Sequence, residues 1–177
     1  MVDVQQLAAA VIGRVLAGRS LDGELAALWP RHANLAAQQR AAIQDVCFGS
    51  LRYLGRLDAV LEALVDKPLR DEQLRCLLRA ALYQLEYTHA APHAIVDHAV
   101  RSCDAMRLVS AKGLVNAVLR NFLRRRAAVI GQASRSDTGR YSHPQWWVNK
   151  MRNQYPEAFS AVLDANNLHP PLTLRVN

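Results

Sequence analysis

Cysteine is too scarce and too scattered in this chain to staple it or to ligate a metal. Of 177 residues only Cys47, Cys76 and Cys103 are cysteine. The number is odd, no Cys-x-x-Cys pair occurs, and each residue sits inside an amphipathic helical pattern. That fits small buried side chains in a reducing compartment better than a disulfide framework. Long apolar runs are also missing: none approaches the ~18 residues of a membrane span. Met1-Val-Asp-Val places an acid where a secretory signal would carry cations. The expectation is a cytoplasmic protein with no membrane partner. No Gly-x-Gly-x-x-Gly, no phosphate-binding loop and no Gly-x-Ser-x-Gly elbow is present, and Lys112-Gly113 lacks the upstream glycines that would cradle a phosphate. His89 and His93 are four apart, but Pro92 stands between them at an expected helix start, and no glutamate completes His-Glu-x-x-His. No active site complete within these residues is expected, and no catalytic, cofactor-binding or metal-binding residue is assigned.

What is present is one amphipathic helix after another. Val4, Leu7, Ala8, Val11, Ile12, Val15 and Leu16 form a first stripe, stopped by Gly18. Ser20 or Asp22 can cap a short second helix carrying Leu25, Leu28 and Trp29, with Pro30 as its stop. Ile43, Val46, Cys47, Leu51 and Leu54 mark a third helix and Leu57, Val60, Leu61 and Leu64 a fourth, with Gly55 as the joint. After Pro68, the cleanest stripe runs through Leu74, Leu77, Leu78, Ala81, Leu82 and Leu85, with Glu72, Arg75, Arg79 and Glu86 outside. Pro92 fits the first turn of a sixth helix that turns Ile95, Val96, Ala99, Val100 and Cys103 inward. A basic helix begins near Ala111. The fold class is therefore all-α, a globular bundle of about seven helices.

The basic helix, Lys112-Gly-Leu-Val-Asn-Ala-Val-Leu-Arg-Asn-Phe-Leu-Arg-Arg-Arg126, is the most informative stretch. At the helical period Leu114, Val115, Val118, Leu119, Phe122 and Leu123 share one arc, and Asn116, Arg120 and Arg124 lie opposite. Arg125 and Arg126 drift back toward the apolar arc, so the helix there is leaving the body of the domain or ending. Helix-dipole complementation accounts for one or two arginines in a last turn, hardly four. Between residues 101 and 126 seven cations (Arg101, Arg107, Lys112, Arg120, Arg124, Arg125, Arg126) face one acid, Asp104, in a chain whose formal net charge is +7. Charge so concentrated is the footprint of a polyanion-binding face, and these seven are the candidate RNA-binding residues, Arg120, Arg124, Arg125 and Arg126 first and Lys112, Arg107 and Arg101 second. Arg40, Arg52, Arg56, Arg75 and Arg79 are interleaved with acids and read as solvated or surface-paired.

Residues 131–140, Gly-Gln-Ala-Ser-Arg-Ser-Asp-Thr-Gly-Arg, are polar and glycine-bounded and read as a linker or loop. Beyond them Trp146 and Trp147 follow a proline, a pattern that favours anchoring an interdomain contact over base stacking. A helical stretch broken by Pro156 comes next. Pro170-Pro171 then precedes an alternating Leu172-Thr-Leu-Arg-Val-Asn177 that suggests a strand without a partner in this sequence, as at the start of a second domain.

Four stretches carry a family resemblance: Cys47-Phe-Gly-Ser-Leu-Arg52; Leu77-Leu-Arg-Ala-Ala-Leu-Tyr-Gln-Leu85; Lys112-Gly-Leu-Val-Asn-Ala-Val-Leu-Arg120; and His143-Pro-Gln-Trp146 with the terminal Pro170-Pro-Leu-Thr-Leu-Arg-Val-Asn177. In this order they resemble the N-terminal region of bacterial 16S ribosomal RNA cytosine-C5 methyltransferases of the RsmB (Sun) type, whose first domain has the all-helical NusB fold. The resemblance covers essentially the whole chain. It implies a NusB-like RNA-binding domain over residues 1–130, a linker at 131–140, and at 141–177 the incomplete start of the α/β methyltransferase region. It also implies S-adenosylmethionine as cofactor of the full-length protein and 16S ribosomal RNA as partner, with the catalytic domain or a ribosomal protein as further partners. The family's two catalytic cysteines have no counterpart in Cys47, Cys76 or Cys103, so this chain by itself is not expected to methylate RNA. Gln39 departs from the pattern where an acid is expected. The alternative is a free-standing NusB-like antitermination or protein-interaction module.

Overall fold

A computed structural model describes residues 4–168 and 173–175. Among them the chain forms helices α1 (Val4–Leu16), α2 (Leu21–Arg31), α3 (Ala37–Arg52), α4 (Leu54–Leu64), α5 (Glu72–Tyr87), α6 (Pro92–Ala105), α7 (Lys112–Ala133), α8 (Asp137–Tyr141), α9 (Gln145–Gln154) and α10 (Phe159–Asn166), with a short 3-10 turn before α7. All seven helices expected over the first 130 residues form, and no strand occurs among the described residues. The terminal strand expected at 172–177 lies mostly outside them; Thr173–Arg175 have no regular structure.

Helix α5 is the axis of the bundle, packed by α1, α3, α4, α6 and α7. Its middle turns are therefore buried on all sides, by apolar or small residues except at Arg79: Cys76, Leu77, Leu78, Ala80, Ala81 and Leu82 are all at 0% exposure. Each large aliphatic side chain buried there contributes about 1.5–3 kcal/mol. The Asp71 carboxylate starts the helix by accepting from the Gln73 and Leu74 amides at 2.9 and 3.1 Å. Gln39 does the equivalent for α3, its Oε1 accepting from the Ala36 amide at 3.0 Å, so the residue that departs from the family pattern serves as half of a capping box.

Arg79, expected on the solvent face, is instead 3% exposed. Its guanidinium donates to both Asp58 oxygens at 2.8 and 3.2 Å and to Glu72 Oε1 at 2.5 Å, bolting α5 to α4. Helical periodicity put Arg79 outside because it cannot see α4 covering that face. Gly18 stops α1 with φ +95°, and Pro92 opens α6. Two other stops move. Helix α2 carries Pro30 in its last turn and ends at Arg31, while the α3–α4 joint is Tyr53 rather than Gly55. Gly55 lies in the first turn of α4, where a Cβ would sit 2.6 Å from the Thr138 carbonyl oxygen.

That contact belongs to a larger correction. The stretch 131–140 is mostly helical: α7 runs on to Ala133 and α8 fills Asp137–Tyr141, its N-terminus capped by Ser136. Helix α8 lies directly on α4. Gly139 leaves room for the crossing, since a Cβ there would meet the Ala133 carbonyl oxygen at 2.1 Å and the Ala59 Cβ at 2.9 Å. Arg56 donates to the Gly139 and Arg140 carbonyls at 3.2 and 3.3 Å, closing the C-terminal turn of α8. The glycines and polar residues that look like a loop in sequence are the requirements of a close helix crossing. Helices α8–α10 enclose a second small core of Tyr141, Val148, Met151 and Leu163, against which Trp147 packs. Trp146 is 66% exposed and touches Trp147 edge-on.

Candidate nucleic-acid interface

The buried stripe of α7 is narrower than its sequence suggests. Val115, Val118, Leu119 and Phe122 are buried at 0–3% exposure, whereas Leu114 and Leu123 stand 39% and 38% exposed at its margins. At Arg125 the backbone leaves helical geometry (φ −120°, ψ 19°), and the helix resumes on a new face that buries Val129 and Ala133. The drift of Arg125 and Arg126 toward the apolar arc thus marks a kink, after which the helix continues for two more turns.

The seven candidate cations divide by partner. Arg101 is salt-bridged to Asp97 one turn back on α6. Lys112 Nζ lies 2.6 Å from Asp104. Arg126 donates to Glu86 at 2.8 Å and to the Glu86 carbonyl at 3.2 Å, reaching the last turn of α5, and the Glu86 hydrogen bond holds its pKa above the usual arginine range. Arg120 has only a neutral partner, Asn116 Oδ1 at 2.9 Å. Arg107, Arg124 and Arg125 are exposed and have no carboxylate partner among the described residues. Arg107, with φ +59°, ends α6 and lines a hollow shared with Asp71 and Glu72, apart from the groove that Arg124 lines. The structure therefore leaves Arg120, Arg124 and Arg125, within two turns of α7, as an exposed set without a carboxylate partner among the described residues.

Two residues that the sequence reading passed over belong beside this set. Lys67 and Arg70, in the connection between α4 and α5, line the same groove as Arg124. In sequence they stand between Asp66 and Asp71 and look neutralised. Asp71, however, is committed to capping α5, which leaves the connection net basic toward α7.

No thiol here suits nucleophilic chemistry. All three cysteines are free and buried; burial pushes Cys47 up to about 12 and Cys76 up to about 11, and Cys103 is raised as well. Among the described residues no three His, Cys, Asp or Glu side chains are grouped to hold a metal, and no helix is long and apolar enough to cross a membrane.

A helical bundle built around α5, with a basic helix packed on its flank, defines the class, and comparison with known proteins agrees: the chain belongs to the NusB family, whose model matches residues 3–124. That match ends one residue before the kink at Arg125. Residues 143–177 match the ferredoxin-like domain of RsmF/B-like methyltransferases. Among curated proteins the chain is similar to the ribosomal RNA small subunit methyltransferase B of Proteus mirabilis, 36% identical over 178 residues, and to those of Serratia proteamaculans (37%) and Sodalis glossinidius (39%). Each alignment covers 99% of this chain, which spans about 40% of the length of these relatives (41%, 41% and 40%).

Proposed function

We propose that this chain is the RNA-positioning part of an S-adenosylmethionine-dependent 16S ribosomal RNA cytosine-C5 methyltransferase acting in the cytoplasm. The observation that carries the reading is the exposed set Arg120, Arg124 and Arg125 on α7, none of them paired with a carboxylate among the described residues. In it the helical domain holds folded RNA by its phosphates, while base recognition and methyl transfer fall to residues outside this chain. The cofactor is assigned to none of the residues here: the sequence holds no glycine-rich cofactor loop, and the three thiols are buried. The division of labour runs between a helical unit, through the basic helix, and a second unit beginning near Tyr141.

Phosphate contact by Arg101, Lys112 and Arg126 would require giving up a carboxylate, so they form a second rank behind Arg120, Arg124 and Arg125. Arg107 is unpaired but stands apart. Binding of a 16S ribosomal RNA fragment, followed by fluorescence anisotropy against salt, tests the reading. Each phosphate contact contributes a slope of ~0.7 in log affinity against log salt, so changing Arg120, Arg124 and Arg125 together to Glu is expected to flatten the slope by about 2. An unchanged slope would show that the face is wrong. Salt-insensitive association with a protein instead would favour an interaction module.

A further inference from the structure

The connection between α4 and α5 and the outer side of α7 enclose a groove of about 610 Å³. One wall is Leu64, Pro68 and Leu69; the other is Leu114 and Ala117. Leu114, 39% exposed, and Ala117 present apolar surface to the groove on the side of α7 that also carries Asn121 and Arg124. Lys67, Arg70 and Arg124 stand around the groove, exposed and without a carboxylate partner among the described residues, and Asp66 is the one acid in its lining. Asn121, half-buried in the same lining, makes no side-chain hydrogen bond among the described residues.

This combination matches one kind of occupant. A nucleotide base has apolar faces and a polar edge, and its strand carries a phosphate on either side. The groove offers aliphatic walls for the faces, an uncommitted amide for the edge and three cations for the phosphates. A paired stem shows only its backbone and groove edges and cannot insert a base. An apolar peptide helix would fill the walls, but it would bury three cations with nothing opposite them, which is costly. We propose that this groove is a subsite for one unpaired nucleotide of an RNA strand, its base between Leu69 and the Leu114–Ala117 face and its flanking phosphates on Lys67, Arg70 and Arg124. The inference rests on the RNA-positioning reading and gives it a substrate feature, an unpaired residue beside a stem. No aromatic ring lines the groove, so the subsite gains little from stacking and discriminates weakly among bases.

The test uses the whole chain and two labelled RNAs, a stem with one bulged nucleotide and the same stem fully paired. Wild type is expected to prefer the bulged RNA. Ala117→Trp fills the groove, and is expected to weaken bulged-RNA binding about tenfold, equivalent to losing roughly 55 Å² of apolar contact with the base, while leaving the paired stem and the salt slope unchanged. Leu114→Glu, at another exposed position, is expected to weaken bulged-RNA binding by at least as much, its added charge also opposing the nearby phosphates, and serves if the tryptophan disturbs folding. Lys67→Ala with Arg70→Ala should flatten the bulged-RNA slope by about 1.4. A 4-thiouridine at the bulge should crosslink within residues 64–70 or 114–121. Equal binding of both RNAs, unaffected by Ala117→Trp and Leu114→Glu, overturns the subsite while leaving the α7 face standing. Crosslinks elsewhere do the same. Failure of both RNAs to bind at low salt overturns both readings, and loss of a protein partner with RNA binding intact assigns the groove to that partner.

Discussion

Replacing Gly49 by alanine should break the scaffold at a point the structure defines closely. A Cβ at this position of α3 would lie 2.0 Å from Tyr83 Cζ, 2.1 Å from Cε2 and 2.3 Å from the hydroxyl oxygen. Carbon atoms pack at about 3.5 Å, so the ring must retreat by roughly 1.5 Å. It has little freedom to do so. Tyr83 is 7% exposed, its hydroxyl donates to Asp45 Oδ1 at 3.2 Å, and its ring lies against Tyr87 at 5.4 Å, which in turn stacks on Tyr53 at 4.1 Å. Overpacking of this kind costs about 1–3 kcal/mol, a displaced hydrogen bond about 1 and a disturbed aromatic pair about 0.5–1.5. Alanine returns up to about 1 kcal/mol through its helix propensity, leaving a net loss of roughly 3 kcal/mol. In a chain of this length that lowers Tm by roughly 6–12 °C. Urea denaturation followed by circular dichroism measures it, and a double-mutant cycle isolates the cause: after Tyr83→Ala, the same Gly49→Ala change should be neutral or stabilising. A loss below about 1 kcal/mol, or an equal loss in both backgrounds, would refute the steric argument.

Two further outcomes are expected. Arg79→Leu strips Asp58 and Glu72 of their shared guanidinium; because both carboxylates reach water, the cost should fall near or below the lower end of a broken buried pair, roughly 2–3 kcal/mol by urea denaturation, and an unchanged midpoint would show that the ion cluster adds nothing. The hydrogen bond from Arg152 at 2.7 Å, with help from Gln145, holds the Asp137 carboxyl below its usual range. In acid the unfolded chain therefore takes up that proton first, so the stabilisation is complete above the ordinary aspartate value of ~3.9 and fades as pH falls through the depressed one. Asp137→Asn should lower Tm at neutral pH and lose this part of the acid dependence, and parallel Tm–pH curves for the two proteins would contradict it.

Helix existence was legible in the sequence because burial on one side of each helix leaves a periodic record. What periodicity could not show was the second neighbour. Arg79 lies on the face of α5 that α4 covers, so a residue at a polar position of the stripe is nearly inaccessible. Gly55 and Gly139 read as breakers because glycine is common in loops; here Gly55 is the space left for the Thr138 carbonyl of the crossing α8, and Gly139 the space left for the Ala133 carbonyl that ends α7 and for Ala59 of α4. The same holds for the motifs behind the family resemblance. Gly49 and Tyr83 stand in two separate stretches of that pattern, and the structure places one against the other, so that each restricts what the other position can hold.

For the candidate interface the sequence supplied the cations but not their partners, and partnership decides which of them can meet a phosphate. Charge and helical position alone put Arg126 in the first rank with Arg120, Arg124 and Arg125, ahead of Lys112, Arg107 and Arg101. The fold makes Arg101, Lys112 and Arg126 parts of ion pairs that join turns or helices, so using them on RNA would first cost their structural contacts. Conversely Lys67 and Arg70 look neutral among Asp66 and Asp71 until the Asp71 carboxylate is found bonded to the amides that start α5. An acid engaged at a helix N-terminus is favourably placed against the helix dipole and its free N–H groups, and is a poor counterion for a cation across the loop. Reading which acids are committed to capping therefore shifts the centre of the basic surface from the end of α7 toward the groove beside the α4–α5 connection. That shift makes the double change at Lys67 and Arg70 more informative about RNA binding than any change at Arg101 or Arg126.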